Sequence, residues 1–109
     1  MHPRDKAAIA LLYDGGLRIG ELASITFKDL TFYNFGGKAN VRGKTGERLV
    51  PVVMAEPYIK NWVQIHPNPH ANESLFIGTG NKNYGKPLFY ESYMNIIKRA
   101  VKKSGIQKK

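Results

Sequence analysis

The sequence predicts an α+β fold, mainly helical, with a small three-stranded antiparallel sheet. Two observations carry this reading: apolar residues recur at helical spacing in several segments, and between Thr31 and Val53 that period gives way to short alternating runs separated by glycine-rich turns. A third sets its size. A chain of 109 residues can enclose one hydrophobic core and not two, so these elements must share a single compact unit.

The first helix is predicted from about residue 3 to 14. Pro3 suits a first-turn position, Asp5 complements the positive helix start, and Ile9, Leu12 and Tyr13 fall at helical spacing before Gly15-Gly16 ends the run. A second short helix, about residues 19 to 24, places Ile19, Leu22 and Ala23 on one face with Arg18 at its entry. Three strands follow, at about 31 to 35, 38 to 42 and 47 to 53. Gly36-Gly37 supplies the first hairpin signal, and Gly43-Lys44-Thr45-Gly46 supplies the second turn, with Lys44 at its tip. Pro51 cannot donate a ladder hydrogen bond, so the third strand should lie at an edge or turn that position outward.

Glu56 to about Ile65 reads as a third amphipathic helix, stopped by Pro67-Asn68-Pro69. Residues 66 to 74 are predicted to be loop, Leu75 to Ile77 a short buried segment, and Gly78 to Pro87 a turn region. The last helix carries an apolar stripe of Tyr90, Tyr93, Met94, Ile97 and Val101, and Gly105 is placed as its left-handed cap. Lys98, Arg99, Lys102 and Lys103 form a basic face beside that stripe.

Seventeen Lys and Arg against eight Asp and Glu leave a net charge of +9, which favours a polyanionic partner and salt-dependent binding. Charge alone does not separate DNA from RNA or an anionic membrane. The longest uninterrupted apolar run, Ala7 to Tyr13, is far too short to span a bilayer, and MHPRDK lacks the layout of a secretory signal, so the chain reads as soluble and cytoplasmic with no membrane partner. With no cysteine, disulfides, thiolate metal sites and cysteine nucleophiles are excluded.

An arginine held between a glycine turn and a helix, with a lysine on a hairpin tip further on, suits one phosphodiester. The guanidinium forks onto two phosphate oxygens, and the ammonium offers a mobile point charge or an acid for an alkoxide leaving group. Spacing leaves a plainer alternative open, in which Arg18 pairs with Glu21 or Asp14 and Lys44 is a solvated turn lysine. Gly43-Lys44-Thr45 resembles the end of a phosphate-binding loop, but Lys38 stands where that motif needs glycine and a strand follows where it needs a helix. His66 and His70 are four residues apart, yet Pro67 and Pro69 break any helix that would align them on a metal, so both are placed in a solvated loop and no metal site is expected. Tyr84 is the tyrosine placed in an exposed loop.

Three stretches resemble one family. LLYDGGLRIGELASITFKDL (Leu11 to Leu30) closely resembles the first box of the tyrosine recombinases, the phage-integrase family. VRGKTGERLVPV (Val41 to Val52) resembles the hairpin that carries that family's catalytic lysine, and Ser74 to Ile106 resembles the segment leading to its second catalytic box. The three occur in family order. The resemblance implies a tyrosine-recombinase type of catalytic domain, present over residues 1–109 as its amino-terminal half, with the core-binding domain and the nucleophile segment outside it.

By position, the resemblance makes Arg18 the first catalytic arginine, Lys44 the hairpin lysine and Glu21 the acidic residue that supports the first box. It implies cleavage and rejoining of double-stranded DNA through a phosphotyrosyl intermediate, with no metal or other cofactor, by a protein that assembles as a tetramer on DNA. None of the six tyrosines occupies the nucleophile's place, so this chain alone is expected to bind DNA weakly without turnover. Gly15 departs from the hydroxyl residue common in the family. The expected DNA-contacting residues are Arg42, Thr45 and Arg48 on the hairpin, Lys82 and Lys86 in the turn region, and Lys98 and Lys102 on the last helix. A non-catalytic DNA-binding or regulatory module on the same scaffold is the alternative. A small basic RNA-binding protein ranks below both, because Phe32, Tyr33 and Phe35 lack the glycine pattern of a common RNA module.

Overall fold

The computed structural model describes residues 1–34, 36–44, 46–80 and 84–104. The first helix, α1 (Pro3–Gly15), starts where the His2 imidazole accepts the free Arg4 N–H through Nδ1 at 3.0 Å. It ends at Gly16, whose φ of 60° lies in the left-handed region. The short α2 (Ile19–Ala23) follows, and then a single 3-10 turn, Phe27–Asp29, that the sequence pattern did not announce. There the Asp29 carboxylate accepts both the Thr26 N–H and the Thr26 hydroxyl at 2.9 Å.

The sheet is β1 (Leu30–Tyr33), β2 (Gly36–Gly43) and β3 (Gly46–Val52), antiparallel in the order β1-β2-β3. The hairpin prediction at Gly36-Gly37 needs correcting. Gly36 pairs with Tyr33 and Gly37 with Phe32, so both glycines lie inside β2 and the chain reverses before them. Glycine is needed there for closeness: Gly36 has φ 122° and a side chain would meet the Val52 carbonyl oxygen at 2.9 Å, while one on Gly37 would collide with the Thr31 carbonyl. The second turn stands as expected, closed by the Gly43–Gly46 pair. Pro51 lies on β3, an edge strand, and is exposed.

α3 (Glu56–Ile65) and α4 (Tyr90–Ser104) complete the fold. Asp14 closes the entry to α3, accepting the Val53 N–H at 2.7 Å and the Ala55 N–H at 3.2 Å. The core fills the space between sheet and helices with Leu11, Leu22, Val41, Val50, Ile59 and Trp62, all at most 2% exposed. Leu75 to Ile77 is buried as predicted, and the Leu75 carbonyl accepts the Trp62 indole N–H at 2.7 Å.

Two expectations fail. His66 is buried, not solvated: it packs edge-on to Phe27, lies beside Trp62, accepts the Asn68 N–H at Nδ1 (3.0 Å) and faces the Ser74 carbonyl with Nε2 (3.1 Å). The prolines do make a loop, but the loop folds back over its own histidine. On α4 the buried side chains are Tyr93 and Ile96, whereas Met94, Ile97 and Val101 are half-buried and Tyr90 is 64% exposed. The helix is rotated relative to the predicted stripe because Tyr93 sets its ring against Phe76, at 6.3 Å between centroids. Gly105, the predicted cap, lies outside the described residues. Among the described residues no helix is long and apolar enough to cross a membrane.

Candidate nucleic-acid and phosphoryl-transfer site

Arg18 sits at the junction of α1 and α2. Gly16 turns the chain, Arg18 is extended (φ −86°, ψ 157°) as the N-cap of α2, and its main-chain N–H donates to Glu21 Oε1 at 3.0 Å. Its side chain is exposed and has no ion pair among the described residues. It lies at the rim of an apolar groove between α1 and α4 lined by Leu12, Leu17, Ile97 and Val101. Among the described residues no ion pair joins Arg18 to Asp14 or Glu21, the alternative open from spacing alone: Asp14 holds the β3–α3 turn, and the guanidinium hydrogen-bonded to Glu21 is another one.

That guanidinium belongs to Arg48. Its Nε reaches Glu21 Oε2 at 2.8 Å, its Nη2 reaches Oε1 at 2.9 Å, and the same Nη2 donates to the Gly16 carbonyl at 3.3 Å. Glu21 is 4% exposed. The Arg48 hydrogen bonds, followed by the Arg18 N–H, hold its carboxyl down to about 2, against the opposing effect of burial. One carboxylate thus fixes the main chain that presents Arg18 and ties it to β3, and Gly43 of β2 closes against its stem: a Cβ there would stand 2.9 Å from Glu21 Cγ.

A second tie runs through Ser24, whose hydroxyl donates to the Glu21 carbonyl at 2.7 Å and accepts the Arg42 N–H at 2.9 Å. The Arg42 side chain forks onto Asp29 (Nη1–Oδ2 3.1 Å, Nη2–Oδ1 2.6 Å) and also reaches Glu47 at 3.1 Å. The hairpin root is therefore braced on α2 and on the 3-10 turn. Beyond it Lys44 stands exposed at the tip with no partner among the described residues.

The predicted residues thus divide. Arg18 and Lys44 are open cations on two segments that meet at Glu21. Arg42 and Arg48, expected to contact DNA, have their guanidiniums engaged with carboxylates. Lys86, Lys98 and Lys102 are exposed, but α4 brings Ile97, Ala100 and Val101 to the Arg18 groove, and Lys98 and Lys102 project from a different side of that helix. Thr45 and Lys82 lie outside the described residues. Ser24 and Asp29 were missed from sequence. Thr26 followed three residues later by Asp29 is a capping pattern that would have signalled Asp29, whereas nothing local signals Ser24. Among the described residues no group of three or more His, Asp or Glu side chains is placed to hold a metal ion.

Compared with known proteins, residues 1–109 match the profile described as the phage integrase family. Transposase A from transposon Tn554 of Staphylococcus aureus is 28% identical over 116 aligned residues, covering 95% of this chain and 32% of that protein. Tyrosine recombinase XerA of Pyrococcus furiosus is 31% identical over 109 residues, covering 95% and 36%. Tyrosine recombinase XerD of Vibrio cholerae is 45% identical over 62 residues, covering 56% and 19%. Among solved structures, the XerH site-specific recombinase bound to a palindromic difH substrate, in a post-cleavage complex, superposes with a TM-score of 0.74 at 19% identity, covering 98% of this chain and 30% of that one. The pre-cleavage complex of XerH with difH gives the same TM-score at 21% identity. The chain spans about a third of the length of the first two relatives.

Proposed function

This chain belongs to the phage integrase family, and on that premise we propose that it forms part of the catalytic domain of a site-specific recombinase that cleaves and rejoins double-stranded DNA through a phosphotyrosyl intermediate. Arg18 binds the non-bridging oxygens of the scissile phosphate and stabilises the charge that develops on them. Lys44 protonates the leaving 5′ oxygen. Neither role calls for a metal or other cofactor. The observation that carries the reading is Glu21, which holds the Arg18 turn, Arg48 and the hairpin root together while both proposed catalytic cations make no ion pair among the described residues.

In this reading Arg42 and Arg48 are positioning residues for the hairpin. Residues 1–109 are the amino-terminal half of the catalytic domain. Lys44, Lys82, Lys86, Lys98 and Lys102 add charge toward the DNA backbone, Thr45 offers it a hydroxyl, and the whole protein acts as a tetramer on its site. None of the six tyrosines supplies the nucleophile. The experiment is a suicide DNA duplex that traps a covalent adduct at its scissile position. This chain alone forms no adduct while still retarding the duplex at low salt. An adduct mapped to one of its tyrosines would overturn the assignment of the nucleophile, and no retardation at any salt would overturn the DNA partner.

A further inference from the structure

The first turn of α1 meets α4 and the segment after Ile77 in a polar depression of about 250 Å3 that none of the roles above uses. Arg4, Thr79, Gly80, Ser92, Asn95 and Arg99 line it. Its organising group is Asp5, 6% exposed, which accepts from Arg4 Nε through Oδ1 at 2.9 Å and from Arg99 Nη2 through Oδ2 at 3.2 Å. One buried carboxylate holds two guanidiniums, and the pair keeps an excess positive charge. Arg4 Nη1 donates to the Ile77 carbonyl at 3.2 Å and to Thr79 Oγ1 at 3.5 Å. With its oxygen accepting, the Thr79 hydroxyl has its own hydrogen left to give. The Ser92 hydroxyl and the Asn95 amide have no protein partner among the described residues, and Arg99, whose side chain is 60% exposed, has most of its N–H groups unused.

We propose that this depression is a phosphate-binding site, separate from Arg18 and Lys44. A cation is disfavoured because the carboxylate at the site already has both oxygens on arginines. A carboxylate ligand would engage a single fork, whereas a tetrahedral oxyanion matches donors arriving from a guanidinium, two hydroxyls and an amide. The phosphate can be a backbone phosphodiester of a nucleic acid or a free phosphate group. The site stands on its own geometry and does not rest on the recombinase reading.

The test is an amide NMR titration of the chain with inorganic phosphate at constant ionic strength, against chloride. Shifts should concentrate at Thr79, Gly80, Ser92, Asn95 and Arg99. Arg99→Gln, at an exposed position that leaves the Arg4–Asp5 pair in place, should weaken phosphate roughly fivefold or more, Asn95→Ala should weaken it less, and Lys60→Gln should not change it. A short duplex then separates the sources. If DNA moves the same amides and Arg99→Gln lowers the salt slope of DNA binding by about one, the ligand is a backbone phosphate; if DNA leaves them unmoved, it is a free one. Shifts scattered over the surface lysines, or undiminished in both Arg99→Gln and Asn95→Ala, overturn the proposal.

Discussion

Glu21 illustrates how much one side chain can organise. Its carboxyl is held at about 2, below an ordinary value of 4.5, so the ionised form belongs to the folded state. A group depressed in the fold contributes stability that is complete above its unfolded value and is lost as the pH falls toward its folded one. His66 acts in a higher window. Burial pushes its imidazole below the usual 6.5, so the neutral ring is the folded form and its contribution is lost as the pH falls below that value. We expect urea midpoints to fall in two stages on acidification, the first absent in His66→Gln and the second reduced in Glu21→Gln, each compared with its own neutral-pH baseline. A single stage unchanged by either substitution would contradict both assignments. Neither environment was legible locally. Glu21 was placed in a supporting role only by resemblance, because its partner Arg48 is 27 residues away, and His66 was misplaced because proline spacing reveals a loop but not what the loop covers.

At the scale of elements, the β2–β3 hairpin is braced at its root by Glu21, Ser24 and Asp29. Gly43→Ala would press a methyl group onto the Glu21 stem, which three hydrogen bonds keep from yielding. The expected cost is about 1–3 kcal/mol in denaturant melts, as in other overpacked sites, with amide shifts at Arg18 and Arg48. A neutral result would show that Glu21 can move without loss. The hairpin itself was readable, because Gly43-Lys44-Thr45-Gly46 sits between alternating runs. The Gly36-Gly37 pair misled because two glycines signal a tight turn and a close strand approach equally well, and only the register with Thr31 and Val52 tells them apart. The stripe on α4 was right in Tyr93 and wrong in Tyr90, and it missed Ile96. Periodicity located the helix, but its rotation depends on Phe76, in a segment with no period of its own.

Across the whole molecule, the +9 charge predicts that binding to the proposed DNA partner is shared among many weak contacts and falls steeply with salt. Lys44→Ala should therefore weaken duplex binding by less than roughly threefold at moderate salt, since one phosphate contact is a small share of the interface. A larger loss, measured by fluorescence anisotropy, would make the hairpin tip an anchor for the duplex. Family and fold class were legible because three ordered stretches agreed with the helix and strand pattern, and the profile match over residues 1–109 bears that out. The division of the arginines into open and engaged was not legible, because Arg18, Arg42 and Arg48 look alike until Glu21 and Asp29 are placed in space.

The setting of Trp62 has a practical consequence. It is the sole tryptophan, buried with its indole bonded to the Leu75 carbonyl, and its ring lies against the imidazoles of His2 at 5.7 Å and His66 at 5.1 Å. Those neighbours come from the start of α1 and from the loop after α3, so a single chromophore views the meeting point of sequence-distant segments. Protonated imidazole quenches indole emission. The molecule thus carries an intrinsic optical gauge in which a wavelength shift reports loss of the core and an intensity change at fixed wavelength reports the charge on His66.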